Sequence, residues 1–240
     1  MDSVGLGPSR DVTRGVTKMI ESPAEGLQGV LADRALDGFS LQPRDFKRGR
    51  TDRESYFNIL LARDGSLSLA PIVQGLYFVG RGEYIKAWIE FRYNPKAGFP
   101  DSVAVDLEQE GLTARLFSIL GELIPSGGSM MVIYGAEPHP LSADTEKGLK
   151  RSFPPAATPI GYYLWTNGFR WFKDWYFPEG WMEGGMKLQA TRPLDDDIRQ
   201  RREAKARKEL ATFVAGLQDR PLEPIQEDAL RRAEEILSSL

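Results

Sequence analysis

Between Ser55 and Tyr93 apolar and polar positions alternate with the two-residue period of strands, in the runs SYFNILLA, SLSLAPIVQGLYFV and EYIKAWIEFRY. Asp64-Gly65 and Gly80-Arg81-Gly82 interrupt them with hairpin-turn chemistry, which predicts an antiparallel meander. Along the last run Ile85, Ala87, Ile89 and Phe91 make a buried face. Tyr84, Lys86, Trp88, Glu90 and Arg92 make an amphipathic one, suited to binding. Upstream, Val12, Val16, Met19 and Ile20, then Leu27, Val30 and Leu31, have the spacing of two short helices separated near Pro23. The stretch from Leu41 to Arg53, basic and carrying Pro43 and Gly49, reads as an irregular connection.

Downstream the pattern mixes both periods. A short strand over Ser102 to Leu107 precedes a helix with apolar positions at Leu112, Leu116, Ile119, Leu120 and Leu123. The glycine-bounded run SMMVIYG predicts a buried strand in a mixed or parallel sheet, and a short helix follows over Ser142 to Lys150. Thr158-Pro159 is an N-cap followed by proline in the first turn of a helix running to Asn167, with Gly168 as its left-handed C-terminal residue. Phe169 to Phe177 and Met186 to Arg192 then form a closing hairpin around the loop Pro178 to Gly185. After Asp195-Asp196-Asp197 come a helix with a basic first half, Arg199 to Lys208, and a second helix from Pro224.

These elements predict an α+β fold: a mixed, largely antiparallel sheet with helices on both faces over residues 1–194. An αα-hairpin extension follows over 195–240 and docks its apolar stripe on the main domain or across a homodimer.

Composition removes whole chemistries. With no cysteine, the chain has no disulfide, thiolate metal site or cysteine nucleophile, and its one histidine rules out a multi-histidine metal centre. His139 lies between Pro138 and Pro140, where a turn is the expected role. A net charge of -3 argues against a generally nucleic-acid-binding surface, leaving the basic helix 199–208 as the place where an acidic partner or RNA would bind. No run approaches membrane-spanning length and none resembles a secretion signal, so the expected setting is cytoplasmic. The scarcity of cysteine, histidine and asparagine points to a thermophile source.

The stretch TPIGYYLWTNGFRWFKDWYFPEG is dense in aromatic side chains around one Lys-Asp pair. Burying a charge among rings costs several kcal/mol, of the order of 2–7 for a polar group without a partner, so Lys173 and Asp174 are either paired or stand at an open cleft. As a cleft, Asp174, Glu179 and Glu183 form an anionic rim for an amine, with Trp175, Tyr176 and Trp181 as stacking or cation-π contacts beside Lys173. A desolvated carboxylate there, Asp174 or Glu179, would act as general base. The glycine-bearing segment Glu179 to Gly185 suits a lid. Tyr134, at the end of a central strand, is a further contact candidate.

Helices, a meander, strand, helix, strand, a helix ending in Gly168-Phe169 and a closing hairpin resemble the element order of GNAT-type N-acyltransferases. That resemblance implies acyl transfer from acetyl-CoA or another acyl-CoA to an amine. It places the coenzyme pyrophosphate at Gln109-Glu110-Gly111-Leu112-Thr113-Ala114, with Gly111 and Thr113 as the contacts, and no metal. The general-acid tyrosine of that family falls on Leu164, with Tyr163 beside it as the catalytic candidate. Residues 40–194 are also similar to a family of uncharacterised archaeal and bacterial proteins, a domain of unknown function. LIPSGGSMMVIY resembles the second half of class I methyltransferases, without their glycine-rich loop for S-adenosylmethionine. The alternative to an enzyme is a non-catalytic ligand- or partner-binding protein built on the aromatic wall and the basic helix.

Overall fold

The structure, a computed structural model, describes residues 39–48, 54–63, 66–67, 73–79, 85–93, 112–122, 124, 126–134, 140–176, 186–218 and 221–240. The helices expected over 12–37, the strand over 102–107, His139 and the loop 178–185 lie outside them. The chain divides into two compact units, 1–90 with 95–125 and 91–94 with 126–240. Helices together with strands paired antiparallel, Phe39–Arg48 with Glu54–Arg63 and Ser129–Tyr134 with Met186–Thr191, make the fold α+β.

In the first unit β2, Glu54–Arg63, pairs antiparallel with β1, Phe39–Arg48, with the two-residue β3, Ser66–Leu67, and with β4, Val73–Val79. The unit also contains most of β5, Ile85–Tyr93, and helix α1, Leu112–Glu122, on which Leu116 and Ile119 are buried as their spacing predicted, and Phe117 with them. Of the meander expected from Ser55 onward, β2 has β3 and β4 as antiparallel neighbours, with Ser66–Leu67 and Val73–Val79 as separate strands. The stretch beginning at Leu41 is corrected: residues 39–48 are a strand, not an irregular connection. Pro43 lies opposite Ile59 in a strand paired only to β2 among the described strands, and a missing N–H is tolerated on such an edge. The register shifts between Arg44 and Lys47, a bulge that lets a basic segment remain in the ladder.

The second unit carries the sheet β6–β8–β7: Ser129–Tyr134, Met186–Thr191 and Trp171–Tyr176, antiparallel throughout. Met130, Met131 and Val132 are all buried, which accounts for the unbroken apolar run in β6. Helix α2 spans Pro140–Lys150 and leads through a 3₁₀ turn, Pro155–Ala157, to α3, Pro159–Thr166. Thr158 caps α3 as its sequence predicts: its hydroxyl accepts from the Gly161 N–H and donates to the Pro155 carbonyl. Gly168 ends that helix at φ 88, a left-handed conformation open to glycine at little cost.

Asp195 caps α4, Asp196–Leu217, by accepting from the Ile198 N–H; α5, Pro224–Ser239, opens with a capping box between Glu223 and Gln226. Their stripes enter one core. Leu210 from α4 and Ala229, Ala233 and Ile236 from α5 pack with Phe153, Ala156, Ala157 and Trp165. Alanines four residues apart on α5 let its backbone approach closely, and each large side chain buried there is worth roughly 1.5–3 kcal/mol. Thus the hairpin docks within its own chain.

Candidate functional site

Arg170, between α3 and β7, assembles the site. Its Nε donates to Glu203 Oε1 of α4 at 2.8 Å, while Nη1 donates to the carbonyls of Trp165 at 2.7 Å and Phe169 at 3.0 Å. The same guanidinium sits 4.2 Å from the Trp165 ring centroid, and that ring lies nearly parallel to Phe172, with centroids 6.4 Å apart. Arg170 thus ties α4 to the end of α3 and the start of β7, a partly buried pair whose extra hydrogen bonds offset its desolvation.

A groove of about 190 Å³ opens between these elements. Pro154, Pro155 and Ala156 form one wall, Trp165, Arg170, Trp171 and Phe172 another, and Arg202, Lys205, Ala206, Glu209 and Leu210 of α4 the third. The α4 residues recur at helical spacing, so a single face of the helix lines the groove. Trp171 is 50% exposed, unusual for so large a ring, and the Arg202 guanidinium lies 5.0 Å from its centroid. Arg202 has no carboxylate partner among the described residues. Lys205 reaches Glu209 at 3.5 Å, and Glu203 is engaged by Arg170, which leaves the walls with surplus positive charge.

A second polar cluster joins α3 to α5. The Tyr162 hydroxyl donates to Glu235 Oε2 at 2.6 Å, and Arg231 donates to Glu235 Oε1 at 3.0 Å. The bond to Glu235, then burial and the Glu235 charge, push the Tyr162 hydroxyl above the ordinary tyrosine range. The bonds from Tyr162 and Arg231 hold the Glu235 carboxyl below the ordinary glutamate range. Linkage gives the signs. The lowered carboxyl contributes stability above its unfolded pKa and loses it as pH falls through the folded one. The raised hydroxyl contributes below its unfolded pKa and loses it as pH rises through the folded one. Urea unfolding of Tyr162→Phe at several pH values should therefore show a smaller loss of stability than the parent on acidification through the glutamate range; curves differing by a constant offset would contradict this.

The sequence-predicted residues are dispersed. Lys173 and Asp174 are exposed on β7, opposite Gln189 and Leu188, and the nearby Arg170 binds Glu203. Trp175 and Tyr176 continue that strand opposite Lys187 and Met186. Tyr134 ends β6. Tyr163 is half-buried on α3, edge-on to Tyr162 with centroids 6.4 Å apart. Thr113 is the second residue of α1 and only 2% exposed. Glu179, Trp181, Glu183 and Gly111 lie outside the described residues. Residues not singled out beforehand, Trp165, Arg170, Trp171 and Arg202, form the groove. Their signals were the aromatic strand and the basic half of α4, read separately.

A family model described as "Protein of unknown function (DUF1122)" matches residues 37–217. The chain belongs to the DUF1122 family. The resemblance noted over residues 40–194 to an uncharacterised family is thereby borne out. Every wall residue of the groove lies inside the DUF1122 match, and α5 lies beyond it. A crystal structure of a protein of unknown function from Aquifex aeolicus VF5 is similar in fold at 22% identity and a TM-score of 0.58, covering 90% of this chain and 96% of that one. No curated protein matches the chain. Among the described residues no helix is long and apolar enough to cross a membrane, and no group of three or more His, Cys, Asp or Glu side chains is placed to hold a metal ion.

Proposed function

We propose that this DUF1122 domain is a binding module whose groove takes an anionic ligand bearing a flat ring, of the mononucleotide kind. The observation that carries the reading is Arg202, without a carboxylate of its own among the described residues, held against a half-exposed Trp171. A cation beside an accessible indole offers a phosphate its counter-charge and a base its stacking surface, the latter worth about 1–3 kcal/mol. Lys173, two residues along β7 and on the same strand face as Trp171, is the proposed outer contact. At about 190 Å³ the groove is smaller than the roughly 300–1,000 Å³ of sites that enclose whole ligands, so it suits one ring-and-phosphate unit. The adenine-phosphate end of an acyl-CoA offers the same chemistry, which keeps the acyltransferase reading and its coenzyme within the test. An ammonium ligand would meet the surplus positive charge of these walls.

Thermal unfolding with AMP, coenzyme A, acetyl-CoA, S-adenosylmethionine and a simple alkylamine tests this. At a hundredfold excess over Kd a ligand adds about 2.7 kcal/mol, or roughly 5–10 °C for a chain of this size. AMP and the coenzymes are expected to raise the midpoint, and Trp171→Ala or Arg202→Ala to abolish the rise while leaving the unliganded midpoint nearly unchanged. A rise with the amine alone, or variants that respond like the parent, would contradict the reading.

A further inference from the structure

We infer that the groove anchors one nucleotide of a longer single strand of nucleic acid, whose backbone runs along α4; this rests on the anionic-ring reading above. Along the edge of the groove-lining face of α4, Arg201, the wall residue Lys205 and Lys208 recur at the spacing that places them on one row, and all are exposed. The row extends over about 10 Å at the helical rise of ~1.5 Å per residue, further than a single phosphate needs. Between Arg199 and Lys208 the helix has one acid, Glu203, and Arg170 neutralises it; Glu209, just beyond, faces Lys205. A cationic track therefore starts at an accessible indole, the pairing by which proteins hold single strands without reading sequence. An acidic protein could use the track but would leave Trp171 no ring to stack on, and a duplex keeps its bases out of reach.

The test is fluorescence anisotropy with labelled single-stranded RNA and DNA of mixed sequence, about a dozen nucleotides long, on the full chain, with AMP, a duplex and polyglutamate as comparisons. Both single strands should bind more tightly than AMP, with log affinity falling against log salt at a slope near -3, about -0.7 for each of roughly four phosphate contacts. Trp171→Ala should weaken the strand by about 5- to 150-fold. Arg201→Glu with Lys208→Glu should flatten the salt slope by about 1.4 and leave the thermal response to AMP intact. RNA preferred over DNA would assign the 2′-hydroxyl a contact, and equal affinity would assign the binding to backbone and stacking; either supports the inference. Strands that bind no more tightly than AMP overturn it and leave the mononucleotide reading standing. Absence of binding by strands and AMP alike overturns both. Polyglutamate or duplex binding as well as the strand, unaffected by Trp171→Ala, overturns the inference in favour of another partner.

Discussion

Gly161→Ala is expected to destabilise the protein by about 3 kcal/mol or more, although alanine is ordinarily the better helix residue by roughly 0.5–1 kcal/mol. A β-carbon at this position would lie 1.7 Å from the Pro155 carbonyl oxygen and 2.8 Å from Thr158 Oγ1. The first is a backbone atom fixed by the 3₁₀ turn, so no side-chain rotation relieves the overlap. That carbonyl also accepts the Thr158 hydroxyl, so displacing it disturbs the cap of α3 and the Pro154–Ala156 wall of the groove. Thermal unfolding should show a midpoint lower by about 6–12 °C, at ~2–4 °C per kcal/mol. Gly216→Ala, inside α4 with no atom of the described residues within 4 Å of the added carbon, should raise it slightly instead. A Gly161→Ala midpoint at or above the parent's would show that the turn and α3 are not packed this closely.

Phe169→Ala should cost about 3–5 kcal/mol, the range for emptying a fully enclosed aromatic site. Phe169 is 0% exposed and follows directly on the left-handed Gly168. Its N–H donates to the Leu164 carbonyl, and the Arg192 guanidinium lies 5.3 Å from its ring while donating to the Asn167 carbonyl. The ring thus locks the step from α3 into β7, and the next residues in line are Arg170 and Trp171. Chemical denaturation should register the loss with an unchanged m-value. A cost below about 1 kcal/mol would mean that the site collapses without penalty and that the residue does not set the start of the strand.

The local signals were legible because they are satisfied locally. Thr158-Pro159, Gly168 and Asp195 each fix the end of a helix by a bond or a φ value within a few residues. The strand Phe39–Arg48 was not legible, since proline and basic residues argue against a central strand and only the partner β2 shows the segment to be an edge. The site divides in the same way. The aromatic segment and the basic helix were each visible, but period two places Trp171, Lys173 and Trp175 on one strand face without ranking them. What singles out Trp171 is the docking of α4, which brings Arg202 beside its ring and Glu203 onto Arg170. That docking is tertiary: it depends on Leu210 and α5 filling a core with Phe153 and Trp165, contacts between segments distant in the chain.

The most direct test of the central claim, that the Trp171–Arg202 groove binds an anionic ring-bearing ligand, is a titration of isotope-labelled protein with AMP followed through its backbone, indole and guanidinium N–H resonances. The account predicts that the Trp171 indole and Arg202 guanidinium signals move together and saturate at one affinity, with the signals of α5 stationary. A Trp171 signal that stays in place at saturating AMP, while resonances elsewhere shift, would contradict it.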